Sequence, residues 1–357
     1  MLLAKNYISK LKANNFAIED ESSKNSLVNY CIKTSTASFF LGRADEEFKS
    51  AMENPDFRES ILSSQKKSLQ YQSSLKSFLK LAQINNIDAC LLKGAFMSNF
   101  MYPNFSMRSM RDIDLLVERE NFLKTVNIML ANGYFFLNSS EKELSKFNFS
   151  YSHQAPILID KFGTAFEIHH RLKRHAESEN SDHLAKNLMQ NKKEKELFGY
   201  KVSTPSNNFA FIHCCYHAIG KSKLNIGPTF LNDLMQFKNI ISDEVLVEAN
   251  KANCLREVKL GINLLKYLHD LDISDQKQVM EAVEIIIYCY KMPEFLPRKR
   301  FNLIGSLNES YSLNSFTFSF SAFLKHKFKQ ILMFYKSYSL NFRLHKKRSK
   351  FFKDFIN

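Results

Sequence analysis

Leu91-Leu92-Lys93-Gly94-Ala95, followed after a short interval by Arg111-Asp112-Ile113-Asp114-Leu115-Leu116-Val117, is the stretch whose reading decides the fold. Asp112 and Asp114 alternate with Ile113, Leu115 and Val117, so a strand here puts both carboxylates on one face and the apolar side chains on the other. Two carboxylates held close on a rigid element repel each other unless a cation sits between them. A hard divalent ion such as Mg²⁺, shared with substrate phosphates, satisfies that demand. The Lys93-Gly94 turn, upstream of the pair, supplies a phosphate cradle.

Further landmarks follow in order: Tyr102-Pro103, Arg108, Gly133-Tyr134, and the acidic strand Phe166-Glu167-Ile168-His169. A D-x-D alone more often marks a solvated strand edge than a metal site. The joint order, best from about Ser68 to Leu172, resembles the polymerase-beta-like nucleotidyltransferase superfamily. More narrowly, it resembles a bacterial family of uncharacterised nucleotidyltransferases. The resemblance implies that Asp112, Asp114 and Glu167 form a catalytic, metal-binding carboxylate triad on adjacent strands, holding two Mg²⁺ ions, or one plus water. It implies an NTP as co-substrate, with Lys93, Gly94, Arg108 and Arg111 around the triphosphate. His169 has three readings, a phosphate contact, a partner that orients Glu167, or a structural histidine. Arg111 likewise either meets phosphate or neutralises Asp112 or Asp114. Ala95 stands where many superfamily members carry serine, which removes one hydroxyl contact.

Around this core the chain reads as helical. The 357 residues include only nine glycines and seven prolines, which favours helices joined by few long loops. Leu69–Ala82 has an apolar stripe at helical spacing, and Asn85-Asn86 ends it. Ile87–Leu92 reads as a strand, Ala95–Met101 as a helix, and Glu120–Asn132 as a helix stopped by Gly133. Ala155–Ile159 and Thr164–Leu172 read as a hairpin across Asp160-Lys161-Phe162-Gly163. On its second arm Glu167 and His169 share a face opposite Phe166 and Ile168. Later helices are expected at Phe209–Ile219, Phe230–Ile240, Leu255–Leu271 and Val279–Tyr290, with a strand signal only around Leu197–Ser203. The expected fold is α+β: a helical N-terminal segment (1–85), a small mixed-sheet nucleotidyltransferase core (86–175), a helical C-terminal half (176–314) and a basic aromatic tail (315–357).

The six cysteines form no C-x-x-C pair, and they read as reduced, buried thiols of a cytoplasmic protein. The N-terminus lacks an apolar signal core, and no run approaches the roughly 18–20 apolar residues of a membrane span. Net charge is +14, and the segment Ser315–Asn357 carries ten Lys/Arg against one acidic residue, together with twelve Phe/Tyr. That tail reads first as a packed helix with a loose basic end. Its second reading is contact with an anionic inner membrane surface, and its third is nucleic acid.

Other chemistry is weaker. His213 and His217 lie four apart, as zinc pairs do, but no glutamate follows the first, so a core or cleft-lining role is preferred; the resemblance implies a comparable H-x-x-x-H helix and a later aspartate, here Asp233, in the helical half. There is no P-loop, dinucleotide fingerprint or G-x-S-x-G elbow. The expected activity is Mg²⁺-dependent transfer of a nucleoside monophosphate to a hydroxyl or phosphate of an acceptor. The acceptor stays open among small molecule, sugar phosphate, protein and RNA. A non-catalytic binding module and a kinase on the same scaffold are the competing classes.

Overall fold

The computed structural model describes residues 6–7, 9–11, 18, 20–43, 45–137, 152–173, 182–222 and 228–270. The chain divides into two compact units, Met1–Tyr290 and Lys291–Asn357, and every described residue belongs to the first. The expected helix Val279–Tyr290 and the basic tail lie outside the described residues.

Residues 6–7 and 9–11 are helical, and four helices with described bounds follow before the sheet. α1 (Glu21–Lys33) starts where the Asp20 carboxylate accepts from the Ser22 and Ser23 N–H groups. α2 (Ala37–Gly42) and α3 (Glu46–Ala51) are short. α4 (Pro55–Ile84) has Asn54 as its N-cap and Pro55 in its first turn, both start signals. It buries Phe57, Ile61, Leu75, Phe78, Leu79 and Ala82, so the apolar stripe runs about three turns further upstream than expected.

The core follows as β1 (Ala89–Leu91), α5 (Lys93–Phe100), a 3₁₀ turn (Phe105–Met107), β2 (Ile113–Val117), α6 (Arg119–Ala131) and β3 (Phe135–Phe136). It continues through β4 (Leu158–Ile159), β5 (Ala165–His169), α7 (His183–Gln190), β6 (Lys193–Leu197) and β7 (Tyr200–Thr204). The seven strands make one mixed sheet in the order β3-β4-β5-β2-β1-β7-β6. β2 lies parallel to β5 and β1 parallel to β7, while the other pairs are antiparallel. The α+β class is therefore the observed one.

The sheet extends past the expected core boundary at 175. The β6–β7 hairpin, from the segment read as the helical half, joins it through Cys90↔Ser203. The reason is chemical: Lys193-Glu194-Lys195-Glu196 is a charged edge with no apolar period to read, a composition that suits an unpaired sheet margin. Its turn, Phe198-Gly199, has φ of 56° and 79°, the positive pair that a two-residue hairpin requires.

The last described part is helical: α8 (Asn207–Cys215), a π-helical continuation (Tyr216–Lys221), α9 (Thr229–Gln236), α10 (Val245–Lys251) and α11 (Leu255–Asp270). α8 is the hub, packing against α9, α10 and α11 with Phe209, Phe211 and Ile212 buried. Cys31, Cys90, Cys214, Cys215 and Cys254 are free thiols, all but Cys214 buried. No described helix is long and apolar enough to cross a membrane.

Candidate active site

β2 and β5 build the centre. Ile113, Leu115 and Leu116 on β2, with Phe166 and Ile168 on β5, are fully buried, which fixes the register. The parallel pairing then sets Asp114 directly beside Glu167 and Leu116 beside His169. A one-residue slip would turn every one of these side chains to the opposite face. His169 Nε2 lies 2.9 Å from Asp114 Oδ1 and 3.4 Å from Glu167 Oε2. Because a carboxylate only accepts, the imidazole donates from Nε2. Its Nδ1 is buried and makes no hydrogen bond among the described residues.

Lys93 completes the cluster. Its Nζ donates to Asp114 Oδ1 at 2.5 Å. Its backbone takes φ of 40° at the first residue of α5, a left-handed conformation that costs a non-glycine residue on the order of 1–2 kcal/mol. The Leu92 N–H donates to the Asp114 carbonyl at 3.0 Å, so the turn is pinned to β2 just where the lysine leaves it.

The charges push one another apart. Burial raises the Asp114 carboxyl, but Lys93 and His169 outweigh it and hold the group well below the usual range. Burial lowers the Lys93 ammonium, and the surrounding Asp114, Glu167 and Asp112 carboxylates more than reverse that. Glu167 is raised by burial and brought below its ordinary value by its bond from His169. Asp112 has no such partner: burial, then repulsion from Asp114 and Glu167, lifts it to about 6.

Asp114, Glu167 and His169 each offer a ligand atom, all within 4.8 Å of one another. The tight donor group thus contains His169, while Asp112 stands just outside it, at the mouth of β2, in the same electrostatic field. Arg111 is exposed and makes no ion pair among the described residues. Arg108 goes elsewhere: its Nε and Nη2 donate to the two oxygens of Asp233 on α9, each at 2.8 Å. The Tyr102 hydroxyl donates to the same carboxylate at 2.8 Å. The space over Gly94 is filled rather than open. A Cβ there would lie 2.7 Å from Arg108 Nη1 and 3.1 Å from Met110 Cγ.

The helical half closes over the cluster. Burial, then the Lys93 charge, holds His213 well below its ordinary value and takes His217 to about 3. Both imidazoles therefore stand neutral within reach of Lys93 and Asp114. The π-helical segment begins immediately before His217. Two neighbours have no signal in the sequence. The His153 ring lies 5.7 Å from that of His169, tilted by 48°, placed there by the Gln154↔His169 bridge. Tyr71 on α4 feels the charges of Asp112 and Arg111.

A family model described as an uncharacterised nucleotidyltransferase matches residues 26–270, well over half the chain. The chain belongs to that family. Among solved structures it is similar to the crystal structure of an antigenic nucleotidyltransferase-like protein from Paracoccidioides brasiliensis. The TM-score is 0.36 at 12% identity, covering 60% of this chain and 91% of that chain. No curated protein matches.

Proposed function

We propose that this protein is a Mg²⁺-dependent nucleotidyltransferase that moves a nucleoside monophosphate from an NTP to an acceptor hydroxyl or phosphate. The observation that carries the reading is the β2–β5 register, which sets Asp114 beside Glu167 with His169 on the same face. The donor set fits a divalent cation: oxygen-rich, buried, and with one carboxyl, Asp112, lifted to about 6 by repulsion from its neighbours.

Asp112, Asp114 and Glu167 would hold the ion, with His169 Nε2 able to join them only after losing the proton it gives to Asp114, and the ion would supply charge neutralisation on phosphate oxygens and acidification of the acceptor. Asp114 is oriented by His169, and Lys93 shares its negative charge until a phosphate competes for the ammonium. Lys93 and Arg111 form the cationic side of the phosphate site, since all three guanidinium nitrogens of Arg108 are engaged by Asp233 and the Ser109 carbonyl. In the transfer, an acceptor oxygen bonds to the α-phosphorus and the bridging P–O bond breaks. Pyrophosphate leaves with the electron pair, and Asp112 or Glu167 takes the acceptor proton.

The test is label transfer from α- and γ-labelled NTP with Mg²⁺ into a cell extract, wild type against Asp114→Asn. Label from the α position, in wild type alone, is the expected result. Label from the γ position alone makes the protein a kinase on this scaffold. With no label from either, calorimetry of NTP with Mg²⁺ decides, and absence of binding leaves a non-catalytic module.

A further inference from the structure

A half-open cleft of about 170 Å³ lies between α2, α4 and the segment after the 3₁₀ turn. It is smaller than a drug-sized ligand site and suits one small polar molecule. Its polar lining is unusual in being almost wholly hydroxyl: Ser35, Ser38, Ser60, Ser63, Ser64 and Ser109, with Lys67 as its one charged residue.

These hydroxyls differ from others on the same helix. Ser68 and Ser73 fold back onto the carbonyl four residues earlier. Ser38 and Ser64 pair at 3.4 Å. The side chains of Ser35, Ser60, Ser63 and Ser109 make no hydrogen bond among the described residues, and Lys67 makes no ion pair there; Ser35, Ser63 and Lys67 are exposed at the mouth, and Ser60 and Ser109 are half-buried. The cleft therefore presents several two-way hydrogen-bonding groups and one cation, with no carboxylate in its lining. A neutral polyol would leave the ammonium unused, and a bare phosphate would leave most of the hydroxyls unused.

Position links the cleft to the carboxylates. Ser60, Ser63, Ser64, Lys67 and Tyr71 fall at helical spacing along one face of α4. Tyr71, one turn or about 5.4 Å beyond Lys67, is the residue within reach of Asp112 and Arg111. Ser109 reaches the same end from the other side, three residues before Asp112, because the 3₁₀ turn packs on both α2 and α4.

We propose that this cleft is a binding subsite for a phosphorylated sugar, with the phosphate on Lys67 and the sugar hydroxyls on the unpaired serines. Its role as acceptor subsite rests on the transferase reading above, whereas the binding itself does not.

The test is calorimetric titration of the full chain, without NTP, using glucose phosphate, ribose phosphate and glycerol phosphate, with glucose and inorganic phosphate as controls. At least one sugar phosphate is expected to bind saturably and more tightly than either control. Lys67→Glu is expected to weaken it at least about tenfold through loss of a charge-assisted contact. Ser60→Leu, on the half-exposed helix face, fills the cleft without touching the ion-pair clusters and is expected to do the same. No saturable binding by any of the three sugar phosphates, or equal binding by both variants, overturns the subsite. Titration of the wild type with NTP and Mg²⁺ separates the two readings. Sugar phosphate binding by a wild-type protein that never binds NTP with Mg²⁺ keeps the cleft but overturns its acceptor role. NTP binding without sugar phosphate binding removes the cleft alone.

Discussion

At the residue scale the site is a set of unequal carboxylates. Asp114 is paired twice and ionised, whereas Asp112 is half-buried, unpaired and lifted to about 6. Between its unfolded value near 3.8 and about 6 the folded protein binds the extra proton, so Asp112 loses stability for the metal-free fold as pH rises through that window. Above about 6 the whole penalty is present. Asp112→Asn should therefore stabilise the metal-free protein at pH ~8 by on the order of 1–3 kcal/mol and change little at pH ~4. It should abolish turnover at both. Thermal melts at the two pH values check the first point, and equal melting of variant and wild type at the higher pH would falsify the assignment of a strained carboxyl. Asp114 has the opposite sign. Its depressed carboxyl contributes stability above its unfolded value that is lost as acid protonates it, so Asp114→Asn should lower the melting temperature at neutral pH while Asp112→Asn raises it. The placing of Asp114 opposite Ile113 and Leu115, and of Glu167 and His169 opposite Phe166 and Ile168, was legible in the sequence because a period-two pattern fixes which face a strand residue occupies. His169 was legible for its place but not for its partners. His153 was not legible at all, since a lone histidine before a hairpin carries no periodic signal.

Elements bring these residues together through contacts that cross long sequence separations. Arg108 was expected at phosphate, and the structure shows its fork occupied by Asp233, 125 residues away. No local pattern announces such a pair, because its two halves sit on a bend and on a helix that meet only in the folded chain. The pair is buried, with Tyr102 donating to the same carboxylate, so Arg108→Ala leaves Asp233 charged and under-satisfied. A loss of about 3–5 kcal/mol is expected. Asp233→Asn should also destabilise, and the double variant should lose less than the sum of the two. Urea unfolding of the four proteins checks this, with full additivity as the contrary result. Gly94→Ala belongs to the same contact. Its new methyl meets Arg108 and Met110 rather than open space, and overpacking of about 1–3 kcal/mol should follow. A neutral Gly94→Ala would show that the guanidinium has room to move. The strand boundaries tell a similar story. β1, β2 and β5 show apolar periods because both or one of their faces are buried. β6 shows none, because its alternating lysines and glutamates face solvent at the sheet margin.

For the molecule as a whole, α9 acts as the tie between distant parts of the described chain. Its adjacent buried residues Asn232 and Asp233 receive the hydroxyls of Tyr7 and Tyr102, at 2.9 and 2.8 Å. The N-terminal segment, the sheet core and the C-terminal helices thus share one buried polar strip. This is why three regions that the sequence presents as separable blocks are held in a single compact unit. Tyr7 is also enclosed by edge-on contacts with Tyr30 and Phe40, so its ring stays in place when its hydroxyl is removed. Tyr7→Phe should then isolate the hydrogen bond and cost about 1–3 kcal/mol, because it strands the Asn232 oxygen in a buried setting. The loss should appear as a uniform shift of one cooperative transition, since the bond ties the first segment to the last described helices. Fluorescence and circular dichroism melts report different parts of the chain. Coincident shifts in both establish the strip as a global tie. A new early transition seen by one probe alone would instead mark the N-terminal helices as an independently folding unit, docked on the transferase core without stabilising it.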